Sequence, residues 1–322
     1  MDRLQGRIAP DRLTLLAFLG LVVFGGGNAI AVKATVAELA PFWGAALRFI
    51  LAGLLLTAIV IVARRPMPRG RSLTGAAIYG AVGMAASFAF IYPALRDTPA
   101  GTAMVLLSLM PLMTFGLAIA QRQEQFHPQG LLGALIALAG VAVVFADQLS
   151  TDVPLPSLIL ILLGTAAVAE GGIIVKWIPR SDPFSTNAVA SLVGAVILLG
   201  LALATGEALV LPTQQATWAG VVYVVLIGSV VLFSLYVFTL ERWTASAVSY
   251  MTLLMPLVTL PAAALLLGEQ VSASFLFGGA LVLAGVYVGA FMKIRPRRSS
   301  ATSLPECIPV DAAAEPEPAV GT

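Results

Sequence analysis

Five of the polar side chains that lie inside long apolar stretches of this sequence are candidates for a chemical role. They are Asn28, Arg48, Ser108, Glu170 and Ser229. A charge costs at least ~2.5–3.5 kcal/mol at the centre of a membrane helix, so one that is kept there marks a candidate functional site. The guanidinium of Arg48 suits a substrate carboxylate. The carboxylate of Glu170 can bind an ammonium group, carry a proton or hydrogen-bond to a neighbouring helix.

Most of these side chains also have a structural interpretation. Asn28 can join neighbouring helices, and the hydroxyls of Ser108 and Ser229 can bond back to their own helix. Arg48 can pair with Glu38 or with helix-end carbonyls. These alternatives stay open at the level of the sequence, because they depend on how the helices are rotated.

The elements that position these residues follow from composition. Apolar residues make up 59% of the 322 residues and charged residues 11%, against roughly 45–50% and 25% in soluble domains. A soluble fold is therefore excluded. Runs of 18 to 25 apolar residues are long enough to cross a bilayer, and they must be helical because lipid offers the backbone no hydrogen-bond partners. The runs cover residues 13–35, 41–63, 73–95, 99–121, 129–146, 156–178, 184–205, 216–240, 245–267 and 273–293. We predict an all-α integral membrane protein with ten transmembrane helices.

The basic residues indicate the orientation of these helices. A cytoplasmic N-terminus, residues 1–12, places fifteen of the eighteen Lys and Arg residues on the cytoplasmic side, as the positive-inside rule requires. An even number of spans then returns the C-terminus to the same side. Residues 294–322 are rich in Pro, Ala, Ser and Glu, a composition that predicts a disordered cytoplasmic tail. We expect a multi-pass protein of a bacterial inner membrane.

An internal repeat is the most informative feature of the sequence. A shift of 145 residues aligns Met110-Pro111-Leu112 with Met255-Pro256-Leu257, Glu124-Gln125 with Glu269-Gln270, and Ala139-Gly140-Val141 with Ala284-Gly285-Val286. A shift of 144 residues aligns Tyr79 with Tyr223 and Tyr92 with Tyr236. The repeats cover residues 13–146 and 156–293, five helices each. Because five is odd, the second repeat enters the membrane from the opposite side. Inverted repeats are the basis of alternating access; the alternative is gene duplication that only stabilises the bundle.

Glycines and prolines inside the spans are candidate hinges. Tandem glycines loosen a helix and expose its backbone to partners, and a mid-helix proline produces a kink. The residues concerned are Gly26, Gly27, Gly171, Gly172, Pro111 and Pro256. The tyrosines of helix three, Tyr79 and Tyr92, are expected in the aromatic belt at the membrane interface.

Several functional classes are excluded or disfavoured. A single histidine, His127, and a single cysteine, Cys307, provide no metal site. A membrane enzyme needs converging acids, histidines or metal ligands, so we predict neither catalysis nor a cofactor. The net charge of +2 is spread over short loops and indicates no nucleic-acid partner.

The residues described above resemble the EamA family of the drug/metabolite transporter superfamily. The similarity is carried by Phe24-Gly25-Gly26-Gly27-Asn28, Pro41, Ala46-Leu47-Arg48-Phe49, Met110-Pro111-Leu112 and Glu124-Gln125, and in the second half by Met255-Pro256-Leu257 and Gly268-Glu269-Gln270. The resemblance implies two inverted five-helix units around a central cavity lined by helices one to four and six to nine. It also implies export of amino acids, purines, toxic compounds or other metabolites.

Our leading hypothesis is a secondary transporter that exports small metabolites, foremost amino acids, including aromatic and hydrophobic ones. Export of drugs, purines or other metabolites is the alternative within the superfamily, and a non-transporting membrane sensor or assembly protein is the alternative of another class. The expected partners are a small-molecule substrate and the lipid bilayer. The chain is expected to be a monomer, or a homodimer that uses the small-residue faces Gly130/Gly133 and Gly285/Gly289.

Overall fold

The computed structural model of the chain describes residues 10–98, 100–146, 153–259, 261 and 273–291, which form ten helical rods and no strand. The rods are α1 (Arg12–Val36), α2 (Pro41–Val62), α3 (Arg71–Asp97), α4 (Thr102–Ala120), α5 (Pro128–Val144), α6 (Leu155–Trp177), α7 (Pro183–Ala204), α8 (Gln215–Leu240), α9 (Ala245–Thr259) and α10 (Ala273–Val286). Three π-helical stretches occur among them, Gly80–Ala86 in α3, Leu226–Val231 in α8 and Tyr287–Phe291 directly after α10. The predicted all-helical fold is confirmed.

Six of these helices, α2, α3, α4, α6, α7 and α8, are long and apolar enough to cross a membrane. The other four are apolar over shorter lengths within the described residues. Ten membrane crossings therefore remain a prediction. The predicted tail 294–322, the start of the N-terminal segment, and Glu269-Gln270 lie outside the described residues.

Corresponding helices of the two repeats pack against each other, α2 along α7 and α5 along α10. Contacts between helix ends show that α2 and α7 run in opposite directions. Glu207, just after the end of α7, accepts hydrogen bonds from the backbone N–H groups of Phe42 (3.2 Å) and Trp43 (2.7 Å) at the start of α2. Arg65, just after the end of α2, pairs with Asp182 at the start of α7, 2.6 Å away. The antiparallel pairing agrees with two inverted repeats.

The pair α5 and α10 is held together by glycines. A Cβ atom on Gly133 would collide with the backbone of Gly289 and lie 2.6 Å from the carbonyl oxygen of Gly285. The carbonyl of Gly130 accepts a hydrogen bond from the Tyr250 hydroxyl at 2.9 Å. The glycine faces that the sequence suggested for a homodimer are thus covered within the chain, so that dimer contact was wrongly predicted.

At one end of the molecule, the turn after α1 meets the turn before α8. The carboxylate of Glu38 accepts hydrogen bonds from the backbone N–H and hydroxyl of Thr213 and from the backbone N–H of Gln214. These bonds favour the ionised carboxylate, and they lower the pKa of Glu38 from 4.5 to about 2. The ionised Glu38 therefore stabilises the connection between the two repeats.

This lowered pKa predicts a pH-dependent stability. Because the pKa of Glu38 is lower in the folded chain than in the unfolded one, its contribution is complete above about pH 4.5 and disappears as the pH falls towards about 2. Glu38→Gln should thus lower the melting temperature of the detergent-solubilised protein at pH 7, and the gap to wild type should close below pH 3. Glu241→Gln is the control of opposite sign, because burial raises the pKa of Glu241, so this change should not lower the melting temperature at pH 7. A gap for Glu38→Gln that is constant from pH 7 to pH 3 would contradict the expectation.

Candidate functional site

The site begins with the π-helical stretch of α8. There the backbone hydrogen bonds span five residues instead of four, a geometry found frequently at functional sites. The hydroxyl of Ser229 donates to the carbonyl of Val224, five residues earlier, at 2.8 Å. The carbonyl of Gly228 is the acceptor for a side chain from α2. This irregular turn thus presents a hydroxyl and a carbonyl to the neighbouring helix.

That side chain is Arg48, which is only 2% exposed. Its Nε donates to the Ser229 hydroxyl at 2.8 Å, and its Nη2 donates to the Gly228 carbonyl at 2.7 Å. The suggested pair with Glu38 is wrong, because Glu38 lies in the turn after α1 and binds Thr213 there. The other structural alternative, a helix-end carbonyl, is also wrong. The carbonyl that binds Arg48 belongs to the interior of α8, where the π-helical turn makes it available.

Aromatic rings surround the rest of the guanidinium group. Its central carbon lies 5.6, 5.0 and 5.5 Å from the ring centres of Phe49, Phe88 and Phe233. The ion pairs among the described residues are Arg65–Asp182 and Arg242–Glu241, so within them Arg48 has no carboxylate partner. Its Nη1 atom is buried and has no hydrogen-bond partner in the part of the chain that the structure describes. Buried charges in proteins are normally paired, whereas the contacts of this one with described residues are a hydroxyl, a carbonyl and three aromatic rings.

Asn28 of α1 completes the group. A Cβ atom on Gly228 would collide with the side-chain oxygen of Asn28 and lie 3.1 Å from Nη2 of Arg48, so both side chains converge on this glycine. The side-chain oxygen of Asn28 is buried and finds no hydrogen-bond partner among the described residues. We call Asn28, Arg48, Gly228 and Ser229 the polar cluster. It brings together three of the five side chains selected from the sequence, whose part in a substrate pathway remains a prediction.

Ser108 and Glu170 lie apart from this cluster in the pattern of contacts. The hydroxyl of Ser108 donates to the carbonyl of Met104 in its own helix at 2.7 Å, as in the structural interpretation. Glu170 accepts a 2.7 Å hydrogen bond from the side chain of Gln121, which directly follows the last residue of α4. Glu170 therefore lies level with a helix end and contacts a neighbouring helix, and a role in proton transfer or substrate binding stays a prediction.

The connection between α4 and α5 contains polar contacts that the sequence did not single out as a site. The side chain of Gln123 donates to the carbonyl of Ile173 in α6 at 3.0 Å. The carboxylate of Glu124 accepts hydrogen bonds from the hydroxyl and the backbone N–H of Ser246, at the start of α9. Glu124 therefore caps a helix of the other repeat, where a negative charge is favourable. The repeated Glu-Gln motif was the sequence signal that could have identified Glu124. No signal in the sequence marked Gln121 or Gln123.

The tandem glycines do not break their helices. Both α1 and α6 are continuous through them, and the use of these glycines as hinges remains a prediction. The Gly26 carbonyl does accept a hydrogen bond from the Thr259 hydroxyl of α9 at 2.8 Å, in agreement with an exposed backbone. The glycines permit close helix contacts and leave the helical hydrogen bonds in place.

These contacts repeat in the two halves. A Cβ atom on Gly27 would collide with the hydroxyl of Tyr223, and one on Gly171 would lie 3.4 Å from the ring of Tyr79, the counterpart of Tyr223. A Cβ atom on Gly172 would lie 2.6 Å from the hydroxyl of Tyr236. The expected place of the helix-three tyrosines in an interfacial belt is wrong, because Tyr79 and Tyr92 are each only 3% exposed. Large aromatic residues of α3 and α8 fill the space that the glycines leave.

The two repeated prolines do interrupt their helices. Regular α-helix stops at Leu107 and resumes at Met110, just before Pro111. In α9 it stops at Leu254, just before Met255 and Pro256. Proline has no N–H to donate and its ring clashes with the preceding turn, which explains both interruptions. Regular α-helix is thus interrupted at both prolines, whereas a kink at these positions and its use as a hinge remain predictions.

The fold and this site define a class of protein, a multi-pass helical membrane protein built from two inverted repeats. The model of the EamA-like transporter family matches the chain twice, at residues 12–146 and 155–290. The chain therefore belongs to the EamA-like transporter family.

Several named proteins are similar in sequence to this chain over most of its length. A probable amino-acid metabolite efflux pump of Salmonella typhimurium is 30% identical, over 89% of this chain and 97% of the relative. A chloroplastic WAT1-related protein of Arabidopsis thaliana is 26% identical, over 90% and 73%, and the uncharacterized inner membrane transporter YedA of Escherichia coli is 25% identical, over 84% and 89%. A solved crystal structure shares the fold, with a TM-score of 0.73, 18% identity and coverage of 86% of this chain and 96% of the other.

Proposed function

We propose that this chain is a secondary carrier that exports small metabolites, foremost amino acids, across a bacterial inner membrane with both termini in the cytoplasm. The observation that carries the proposal is the guanidinium of Arg48, buried between helices without a carboxylate partner among the described residues. A substrate carboxylate would supply the missing negative charge. The amino-acid metabolite efflux pump similar to this chain supports the same substrate class.

The position of the polar cluster suits alternating access. Asn28 and Arg48 belong to the first repeat, whereas Gly228 and Ser229 belong to the second. A ligand that contacts both repeats can bind one of two arrangements more tightly and so shift their populations. Substrate sites at the interface of inverted repeats work in this way.

Counterflow in liposomes tests the proposal directly. Purified protein would be reconstituted into liposomes loaded with an unlabelled amino acid, purine or cationic drug, and uptake of the same labelled compound would be followed. Amino acids should drive transient accumulation. Accumulation driven only by purines or drugs would favour the alternative substrates, and a flat response to every compound would favour a non-transporting protein. Protein-free liposomes provide the baseline.

The interrupted helices α4 and α9 predict a gating defect. Pro111→Ala and Pro256→Ala restore a backbone donor and allow a regular helix, so they should slow the conformational step. We expect each to reduce the exchange rate by roughly tenfold, equivalent to about 1.4 kcal/mol in the barrier. Pro128→Ala is the matched control, since Pro128 is the first residue of α5, where proline removes no helical hydrogen bond. Unchanged exchange rates in both variants would exclude these prolines as hinges.

A further inference from the structure

The geometry points to an α-amino-acid site in which the substrate carboxylate binds Nη1 of Arg48 and the substrate ammonium group binds the side-chain oxygen of Asn28. The inference rests on the proposed function and specifies how its substrate is recognised. It starts from one hydrogen-bond donor and one acceptor, both buried and both without a hydrogen-bond partner among the described residues. The two side chains that carry them converge on Gly228.

The guanidinium of Arg48 is only partly used by the protein. One edge, formed by Nε and Nη2, is bound to Ser229 and Gly228 of α8. These contacts fix the plane of the group. No described residue accepts a hydrogen bond from Nη1, so the other edge, which Nη1 forms with Nη2, is the one that can bind a carboxylate through two parallel hydrogen bonds. Arg48 is thus a preoriented cation whose carboxylate-binding edge is buried and, at Nη1, has no hydrogen-bond partner among the described residues.

The oxygen of Asn28 requires a donor. A ligand with a carboxylate alone would satisfy Arg48 and leave this acceptor buried without a hydrogen bond. A ligand with an amine alone would place a positive charge beside the guanidinium. An α-amino acid satisfies both atoms, because it carries an acceptor group and a donor group on one carbon. The rings of Phe49, Phe88 and Phe233 around the guanidinium suit an apolar or aromatic side chain.

Gly228 is essential to this arrangement. A side chain at this position would occupy the space where Asn28 and Arg48 converge. Phe88 and Phe233 could not be selected from the sequence, because phenylalanine is common in apolar helices. Gly228 carries no motif either, so only its contacts identify it as part of the site.

The positions that correspond to Arg48 and Asn28 in the second repeat carry residues of a different kind. Helices α2 and α7 both begin with Pro-Phe, and counting from these prolines places Ala190 opposite Arg48. Gly27 and Gly171 receive corresponding tyrosines, which places Gly172 opposite Asn28. Neither Ala190 nor Gly172 can bind a carboxylate or an ammonium group through its side chain. The inference therefore specifies one amino acid bound per carrier.

Competition with matched analogues tests the site. The probe is exchange of labelled L-phenylalanine and, in parallel, L-leucine in proteoliposomes of the full chain. Each is competed by its amide, which lacks the carboxylate, and by its deaminated acid, 3-phenylpropionate or 4-methylpentanoate. In wild type, both kinds of analogue should compete at least about 100-fold more weakly than the amino acid, as for a site built to hydrogen-bond the missing group.

Variants of the site test which group of the substrate each side chain binds. Asn28→Ala should weaken binding of the amino acid but not of the deaminated acid, so the difference between them shrinks at least tenfold while discrimination against the amide persists. Thr165→Ala is the control, since the Thr165 hydroxyl donates to the carbonyl of Ile161 in its own helix, α6, at 2.7 Å. Analogues that compete as well as the amino acids in wild type, or an Asn28→Ala variant with unchanged discrimination, would overturn the site and leave amino-acid export standing. Absence of exchange with every amino acid in the counterflow panel would instead contradict the proposed function.

Discussion

Replacing Arg48 by methionine is expected to reduce amino-acid exchange by at least about 100-fold, equivalent to roughly 2.7 kcal/mol of lost binding energy. The variant loses the cation for the substrate carboxylate but keeps an apolar chain among Phe49, Phe88 and Phe233. Replacing buried ionic groups by apolar residues of similar volume is often neutral or stabilising. The melting temperature should therefore stay within a few degrees of wild type. Exchange rates in liposomes and thermal unfolding in detergent measure the two effects separately.

Two further variants make this result specific. Arg48→Lys keeps the charge but lacks the planar fork, so it should recover only part of the exchange activity. Arg242→Met removes another arginine that lies over a phenylalanine ring, Phe238, at an exposed position outside the polar cluster, and should exchange like wild type. Wild-type exchange rates in Arg48→Met would contradict a role in substrate binding. If Arg48→Met does not fold and Arg48→Lys is fully active, the role of Arg48 is structural and not in substrate binding.

Gly133→Leu is expected to prevent stable folding. A side chain on Gly133 would have to occupy space already filled by the backbone of α10, which cannot move aside as a flexible side chain can. The cost should exceed about 4 kcal/mol, in the range reached by severe overpacking. The fraction of detergent-extracted protein that elutes as a monodisperse peak after heating gives a direct measurement. The variant should aggregate at temperatures at which wild type is intact.

Gly200→Leu is the matched control, because Gly200 lies in α7 with nothing within 4 Å of an added Cβ atom. That variant should elute and transport like wild type. If Gly133→Leu instead folds normally and only changes the oligomeric state, the packing of α5 against α10 within one chain is wrong. The homodimer suggested by the glycine pattern would then regain support.

Much of the fold could be predicted because lipid and water impose it locally. Each apolar run has to be helical wherever it lies, since its backbone has no other hydrogen-bond partners in a bilayer. The repeated Pro111 and Pro256 predicted where two helices are interrupted, because a missing N–H is a property of the residue itself. The glycine pairs were harder to interpret. Gly26 and Gly27 were expected to loosen α1, yet the helix is continuous and the close approach of α8 and α9 uses the missing side chains.

The polar site was predictable only in part. Asn28, Arg48 and Ser229 were selectable because polar groups at membrane depth need a reason, but Ser108 satisfied the same criterion and bonds within its own helix. Glu38, one of the acceptors considered for Arg48, binds Thr213 instead. The available carbonyl at Gly228 depends on a π-helical turn inside α8, which the sequence pattern does not mark.

The sequence by itself therefore determined the all-helical membrane fold, the two inverted repeats and the short set of polar residues that lipid cannot solvate. These follow from the hydropathy and length of each segment and from the similarity between the two halves, all of which are present in the linear sequence. Only the tertiary structure decided that α1, α2 and α8 bring Asn28, Arg48 and Ser229 together, and that Glu170 faces Gln121 elsewhere. The physical reason is that one residue changes the direction of a side chain by about 100° around a helix, so which polar atoms meet depends on helix rotation and local winding that packing alone determines.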